Sequence, residues 1–440
     1  MNFKTLLLGS AAAMIVAGGA QAADLTVAEP VDYVKVCDAF GAGFYYSPGT
    51  DTCIKVGGYV KFGTSVGHTD YGNYVGAYPN SDWSNFYTEV SIQLTASSVT
   101  EFGNLTGFLD VRAQTGNSGG FTESLTQAAN SVTKSAYLDS AYLQLGPLKA
   151  GYFTSLFDFG RGYTDTGVFG SDTTADQIQL NYAVNGFGLA LSVEDQRDRG
   201  STGNTGGIES ETTLYATGTP PVLGASTVYY QGGSDNVPNV IGAVSYASGI
   251  FSTKIAAAYT DLALDRTVTA GYQPTPTSAT GDLLTYTAKS GWAIGGNVEF
   301  ALDSFSAGDK FTVFGAYGDN ANSFTGIAGG TSVAGVGGFG TNQLAAVAPG
   351  TSWSAGASYK HVWTPSVWSA ISGGYASYDG DGTWRGADSL NAWRLQASTG
   401  WTPVKGLDVM LDGGYTSVDG DGAIGDGDAW AVNLWLKRSW

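Results

Sequence analysis

The chain has 440 residues and a formal net charge of −18, and only 13% of its residues are charged, where soluble domains average about 25%. The negative charge argues against nucleic-acid binding, and two histidines leave little material for acid–base catalysis or a zinc site. No stretch after Ala23 contains the ~20 consecutive apolar residues of a membrane helix, so any membrane span must consist of strands.

The N-terminus has the pattern of a secretory signal peptide. Lys4 supplies a positive charge, residues 6–17 are apolar, and Ala20-Gln21-Ala22 forms a small-residue cleavage site. A retained membrane helix is disfavoured because the apolar stretch is short. We therefore predict that residues 1–22 are removed on export and that residues 23–440 form the mature protein.

Cys37 and Cys53 are the only cysteines. In an exported chain they predict a disulfide that ties down an N-terminal segment, residues 23–52, and contributes roughly 3 kcal/mol. A metal site is disfavoured because neither His68 nor His361 has a ligand-like neighbour at zinc spacing. We predict no metal and no cofactor.

Alternation of apolar and polar side chains recurs in short segments from residue 53 to the C-terminus. Within residues 105–114, for example, Leu109 and Val111 alternate with Asp110 and Arg112. This period of two is typical of strands with one apolar and one polar face. Sixteen segments show it, although the fourth breaks the alternation at Asp139: residues 53–63, 88–95, 105–114, 141–145, 148–155, 177–182, 189–194, 238–246, 251–260, 292–300, 311–317, 352–362, 367–375, 392–399, 407–416 and 428–440.

The connections between these segments are short and long in turn. Tight Gly- and Pro-containing turns occur at residues 145–147 and 364–366, whereas residues 197–237, 262–290 and 319–350 read as long loops. Aromatic residues lie near the strand ends, as in membrane-interface girdles. Lipid offers no hydrogen-bond partners to the backbone of an unpaired edge strand, so the last strand must pair with the first. The predicted fold is all-β, a transmembrane antiparallel β-barrel of sixteen strands.

The loop after the fifth strand is aromatic and acidic. It carries Arg161 together with Asp158, Asp165, Asp172 and Asp176. Its composition is compatible with two interpretations, a loop that folds inward and narrows a pore, or an ordinary surface loop.

Strand parity places a second set of charges inside the barrel. The cations are Lys55, Lys61, Arg112, Lys360 and Arg394, and the acids include Glu89 and Asp110. Cations on one wall that face carboxylates on a loop would create a transverse field across a pore. The alternative is scattered charge that any water-filled barrel tolerates.

Acidic glycine-rich runs at residues 379–382 and 419–428 lack the spacing of an EF-hand, so weak divalent cation binding in outer loops is the most they indicate.

Two stretches resemble a known family. YVKVCDAFGAGF at residues 33–44, with VGGYV at residues 56–60, resembles the opening of alphaproteobacterial (rhizobial-type) outer-membrane porins, and AGY at residues 150–152 with FDF at residues 157–159 resembles their constriction loop. The resemblance implies a homotrimer of sixteen-stranded barrels whose third outer loop folds inward. Tyr152 stands where the family leads us to expect an inward arginine. Trp440 replaces the terminal phenylalanine that the barrel-assembly machinery is thought to read.

The resulting hypothesis is a general diffusion porin in the outer membrane of a Gram-negative bacterium. It would pass small hydrophilic solutes and ions, with a weak preference for cations, and would contact membrane lipid and lipopolysaccharide. A substrate-selective channel for a sugar or a dicarboxylate shares this architecture. A barrel hydrolase is a weaker alternative, because His68 beside Asp70 is the only histidine near an outer loop.

Overall fold

The computed structural model describes residues 36–70, 81–115, 134–200, 204–217, 222–233, 237–273, 275–276, 280–327, 348–381, 387–422 and 426–440. The predicted signal peptide, residues 1–22, lies outside the described residues. Within the described ranges, no helix is both long and apolar enough to cross a membrane.

The described residues form nineteen strands and three short 3₁₀ helices. The strands are β1 Tyr45–Tyr46, β2 Cys53–Asp70, β3 Ser81–Thr100, β4 Gly103–Thr115, β5 Lys134–Leu145, β6 Leu148–Thr154, β7 Thr174–Val184, β8 Phe187–Glu194, β9 Asn204–Thr217, β10 Val222–Gly233, β11 Asn239–Ala247, β12 Phe251–Tyr272, β13 Gly281–Ala301, β14 Lys310–Asp319, β15 Gly350–Thr364, β16 Val367–Gly380, β17 Ala387–Val404, β18 Leu407–Gly422 and β19 Gly427–Ser439. The 3₁₀ helices are Asp38–Phe40, Gln196–Arg199 and Asn322–Phe324.

Sixteen of these strands, β2–β8 and β11–β19, close an antiparallel barrel. β8 pairs with β11, with Ser192 opposite Ile241, so the hairpin of β9 and β10 lies outside the ring of barrel strands. β19 pairs with β2, with Trp435 opposite Gly63, which closes the sheet. The predicted barrel is confirmed, and each of the sixteen predicted segments coincides with one barrel strand.

Two of the predicted long loops were wrong in part. Residues 197–237 contain the hairpin of β9 and β10, and residues 262–290 are largely strand, because β12 extends to Tyr272 and β13 begins at Gly281. Alternation is weak in these extensions. We attribute this to their position beyond the hydrocarbon layer, where neither face of a strand has to be apolar.

The break in alternation at Asp139 is a β-bulge. Asp110 pairs with Ser140 and Val111 with Leu138, so Asp139 has no partner on β4. An extra residue in one strand redirects its side chain. The Asp139 carboxylate consequently lies 2.8 Å from Nη2 of Arg112.

The outer surface carries one row of alternating tyrosine and tryptophan side chains over eight consecutive strands. Tyr259 of β12 pairs with Trp292 of β13, and Tyr415 of β18 pairs with Trp430 of β19. Aromatic rings of this kind favour the interface between lipid and water. The complete row, called the aromatic row below, is Tyr259, Trp292, Tyr317, Trp353, Tyr375, Trp393, Tyr415 and Trp430.

The described residues up to Cys53, residues 36–53, belong to a compact unit of their own. The predicted disulfide between Cys37 and Cys53 is present, with the two Cα atoms 6.0 Å apart. The backbone N–H of Cys37 also donates to the carbonyl oxygen of Phe44 at 3.0 Å.

Candidate functional site

The loop between β6 and β7, residues 155–173, enters the barrel and is called the lumen loop. Leu156 and Phe157 are buried against the inner wall of β11–β13. The ring of Phe157 meets Phe324 edge to face, with ring centroids 5.0 Å apart. The apolar start of the loop therefore lies inside the barrel and not on its outer surface.

The far end of the lumen loop rests on the opposite wall. The N–H of Tyr163 donates to Oγ of Ser358 on β15 at 3.0 Å, and the N–H of Asp165 donates to Oγ of Ser398 on β17 at 2.9 Å. Nε1 of Trp435 on β19 donates to the Asp165 carboxylate at 2.8 Å. The loop consequently crosses the lumen and is anchored on both sides.

Glycines make room for the loop on that opposite wall. A Cβ added to Gly356 or Gly374 would lie 3.0 Å and 2.9 Å, respectively, from atoms of Val168 in the loop. Both glycines take inward positions on β15 and β16. Glycines at inward-facing strand positions are the sequence signal that could have predicted where the loop packs against the wall.

A buried ion pair holds the two ends of the lumen loop together. Arg199 and Glu194 both have fully buried side chains, and Nη2 of Arg199 lies 3.2 Å from Oε2 of Glu194. The other oxygen of Glu194 accepts from Oγ of Ser155 at 2.7 Å and from the N–H of Leu156 at 3.1 Å. Nη1 of Arg199 donates to Thr173 at 3.3 Å, so the pair joins the first and last residues of the loop.

The wall formed by β2–β5 carries paired charges. Nζ of Lys61 lies 2.9 Å from the carboxylate of Glu89, which also accepts from the Tyr59 hydroxyl at 2.6 Å. Arg112 contacts two carboxylates, Asp110 at 3.0 Å and Asp139 at 2.8 Å. Lys61 and Arg112, which strand parity placed inside the barrel, are thus in direct contact with the acids Glu89 and Asp110.

The lumen loop and β19 contribute further charges. Arg161 forms an ion pair with Asp172, whose side chain is 63% exposed. Nζ of Lys437 lies 5.8 Å from the centroid of the Tyr59 ring and 5.1 Å from that of Trp435. The stretch of lumen between the loop and the wall of β2–β5 and β19 is therefore lined by both signs of charge.

Several predicted site residues lie elsewhere. Asp158 accepts from Ser171 and from the N–H of Thr173 at 2.9 Å, and burial raises the pKa of its carboxyl despite these hydrogen bonds. Arg394 is buried under the loop and donates to the carbonyl oxygen of Gly167 at 2.9 Å.

The structure places Asp176 on the outer face, which corrects the interpretation of this residue as a constriction acid. It belongs to β7 and is paired with Tyr152, whereas the adjacent Gln177 is buried inside the barrel. Side chains alternate along a strand, so Asp176 and Tyr152 share the outward face. The missing arginine at Tyr152 therefore removes no charge from the lumen. Lys55 is exposed near the start of β2.

Three residues of the charged lining were not predicted from the sequence. Asp139 was overlooked because the bulge hid its direction, and Lys437 was not predicted to belong to the site. Tyr59 alternates in phase with Lys61, but it was not predicted as a site residue, because a tyrosine on a barrel strand is compatible with either face.

The described residues contain no group of three or more His, Cys, Asp or Glu side chains that could hold a metal ion. The acidic runs proposed to bind divalent cations weakly lie partly outside the described residues. His68, considered for the hydrolase alternative, has its Nδ1 2.7 Å from the carboxylate of Asp82.

Known proteins resemble this chain in sequence and in fold. The protein y4fJ of Sinorhizobium fredii is 39% identical over 223 residues, which cover 49% of this chain and 61% of that protein. Porin Omp2b of Brucella abortus is 34% identical over 257 residues, covering 55% of this chain and 66% of that protein. The matched segments thus span less than two thirds of these relatives. The outer membrane channel DcaP of Acinetobacter baumannii shares the fold, with a TM-score of 0.55 at 14% identity over 90% of this chain and 99% of that one.

The profile of the Porin subfamily matches residues 24–435, almost the whole chain. This agrees with the closed sixteen-stranded barrel and confirms the resemblance noted from the sequence. The chain therefore belongs to the Porin subfamily of outer-membrane proteins and is located in the outer membrane of a Gram-negative bacterium.

Proposed function

We propose that this chain is a general diffusion channel for small hydrophilic solutes and ions. The observation that carries the proposal is the lumen loop, which crosses the barrel and confines the passage to the region beside β2–β5 and β19. Solutes would pass between the loop and this wall. No catalytic step is proposed, and the geometry favours passage through a charged constriction over chemistry at the rim.

The constriction would discriminate weakly by charge. Its cations are Lys61, Arg112, Arg161 and Lys437, and its acids are Glu89, Asp110, Asp139, Asp165 and Asp172. Because Lys61, Arg112 and Arg161 each contact a carboxylate on their own wall or loop, their charges partly cancel and create neither a strong transverse field nor a barrier of one sign. The small excess of acids and the net charge of −18 support a weak preference for cations.

Planar-bilayer recordings of the purified protein test this proposal. In symmetric KCl we expect stepwise, nearly ohmic currents. In a KCl gradient we expect a reversal potential with the sign that preferential passage of K⁺ produces. Liposome swelling should slow steadily with the size of neutral sugars, independent of their identity. A reversal potential set by Cl⁻ would contradict the cation preference, and saturable block by one sugar or dicarboxylate would favour the substrate-selective alternative.

We also propose that the channel is a homotrimer that uses the outer face of β6–β8. None of the eleven tryptophans lies between Trp83 and Trp292, the stretch that forms β4–β12. β6–β8 are short, with 7, 11 and 8 residues, and their outward side chains include Leu180 and Leu191. The aromatic row instead occupies β12–β19. An outer face without tryptophan, whose aromatic residues are Tyr152, Tyr182 and Phe187, fits contact with protein better than the tryptophan-rich face of β12–β19 does.

Substitution of Leu191 by arginine tests the trimer face. Leu191 on β8 is 49% exposed, and Leu411 on β18, beneath the aromatic row, is a matched control at 51%. We expect Leu191→Arg to give folded monomers and Leu411→Arg to remain trimeric. Unheated electrophoresis measures the oligomer, and a heat-dependent change in mobility confirms that each barrel is folded. Trimers of Leu191→Arg, or monomers of Leu411→Arg, would count against this face.

The remaining partners follow from the location in the outer membrane. The apolar outer face would contact lipid, and the outer rim would contact lipopolysaccharide. Trp440, at the end of β19, donates its N–H to the carbonyl oxygen of Gly58 at 3.3 Å and is exposed. Recognition of this terminal aromatic by the barrel-assembly machinery stays a prediction.

A further inference from the structure

Two lysines in the lumen differ from those cations of the constriction that form ion pairs. Lys61, Arg112 and Arg161 each contact a carboxylate. Lys149 on β6 and Lys254 on β12 form no ion pair with any carboxylate of the described residues. Both lie near the short turns at the end of the barrel opposite the long loops. In a chain with a net charge of −18, two such ammonium groups in one place require an explanation.

Aromatic rings and one carbonyl group hold these ammonium groups. Nζ of Lys149 lies 3.8 Å from the ring centroid of Tyr142 and 3.9 Å from that of Phe153. Nζ of Lys254 donates to the carbonyl oxygen of Asp158 and lies 5.0 Å from the ring centroid of Phe159. An ammonium group has three N–H donors, so these contacts fix the position of both groups and leave donors for a ligand.

A cavity of about 310 Å³ brings the two lysines together under the start of the lumen loop. Phe153, Tyr142 and Leu156 give it apolar walls, and Ser140 and Gln179 add polar groups. This volume is at the lower end of the range of small-molecule sites, and the combination of apolar walls with a few polar groups is typical of them. The cavity is called the lysine pocket.

The carboxylate of Asp158 in the lumen loop does not pair with the lysines of the pocket. The carboxylate oxygens of Asp158 accept from Oγ of Ser171 and from the N–H of Thr173 at 2.9 Å. Its backbone carbonyl, and not its carboxylate, is the acceptor for Lys254. The pocket is therefore positively charged, although the protein as a whole is acidic.

We propose that the lysine pocket binds small organic monoanions that join a carboxylate to an apolar body. The carboxylate would lie between the ammonium groups of Lys149 and Lys254, and the body would pack on the ring of Phe153 and the side chain of Leu156. An inorganic anion would leave these apolar walls unfilled, and a neutral aromatic molecule would leave the ammonium groups without a counter-charge. The proposal rests on the proposed channel function, through which the anion would reach the pocket from solution.

Block of single-channel current by benzoate tests the pocket. Benzyl alcohol supplies the same ring without charge, and formate supplies the carboxylate without the ring. We expect benzoate alone to reduce the wild-type KCl current in a saturable manner. In Lys149→Met, the half-blocking concentration should rise at least about tenfold, the factor that corresponds to 1.4 kcal/mol.

Lys360→Met is the matched control. Its Nζ also lies inside the barrel, 4.4 Å from the ring centroid of Trp368, so this variant removes the same charge from a place outside the pocket. The control should keep the wild-type half-blocking concentration. Equal weakening in both variants, or equal block by formate, would show a general effect of lumen charge and overturn the proposal.

The proposed channel function can fail separately. If KCl flows and benzoate has no effect, the pocket is refuted and the channel stands. If no KCl current is seen, the channel function is refuted, and saturation-transfer NMR of benzoate with the detergent-solubilised wild-type, Lys149→Met and Lys360→Met proteins decides the pocket. Loss of transfer in Lys149→Met alone supports it, and equal transfer in all three overturns it.

Discussion

Replacing Arg199 by methionine is expected to release the lumen loop and to destabilise the protein by about 3–5 kcal/mol, the usual cost of removing one partner from a buried ion pair. The substitution leaves the carboxylate of Glu194, which is completely buried, without its cation. It also removes the donor to Thr173, so the last residue of the loop loses its link to the first. Single-channel records should show larger and noisier currents, and protease should cleave within residues 155–173.

Arg197→Met provides a matched control two residues away. Arg197 also pairs with an acid, Asp195 at 2.6 Å, but its side chain is 69% exposed. Exposed pairs contribute roughly 0–1 kcal/mol, so this variant should keep the wild-type conductance and protease resistance. The explanation fails if Arg199→Met and Arg197→Met behave alike, or if the conductance of Arg199→Met equals that of the wild type.

Replacing Arg112 by alanine is expected to raise the selectivity for K⁺ over Cl⁻ about fivefold. Asp110 and Asp139 lose the cation that lies 3.0 Å and 2.8 Å from them, respectively, so the constriction gains net negative charge. The interaction energy between a unit charge and an ion about 4 Å away in water is about 1 kcal/mol, which corresponds to a factor of about five. The reversal potential in a KCl gradient measures the change, which should shrink at high ionic strength because of screening.

Lys405→Ala is the control for this second experiment. Lys405 lies in the exposed turn between β17 and β18, and its loss changes the net charge by the same amount. This variant should leave the reversal potential within error of the wild type. An equal shift in both variants would mean that the total charge, and not the position of Arg112, sets the selectivity.

The barrel was predictable because lipid enforces a simple rule on each strand. In β19, the outward set includes Trp430, Val432 and Leu434, whereas Trp435, next to Leu434, is buried inside. A strand with lipid on one side and the lumen on the other must alternate, so period two identified all sixteen barrel strands. The outer extensions of β12 and β13 were not predicted because no lipid-facing side enforces alternation there, and the consecutive residues Leu262, Ala263 and Leu264 are all buried.

The site was less predictable because its geometry depends on contacts between distant residues. Strand parity placed Lys61, Glu89 and Arg112 correctly inside the barrel, but it could not show that an extra residue at Asp139 turns that carboxylate towards Arg112. The sequence pattern placed Arg199 in a long polar loop, because no neighbouring residue indicates that its partner, Glu194, is buried. Such long-range contacts become visible only when the chain is folded.

The lumen loop has a mechanical consequence as well. Its root is joined to β8 through Glu194, and its far end is hydrogen-bonded to β15 and β17 through Ser358 and Ser398. A closed barrel under lateral compression deforms most easily across a diameter that nothing spans. This loop spans the barrel and connects two of its sides. The cross-section of the barrel should therefore stay nearly constant under the lateral pressure of the surrounding membrane.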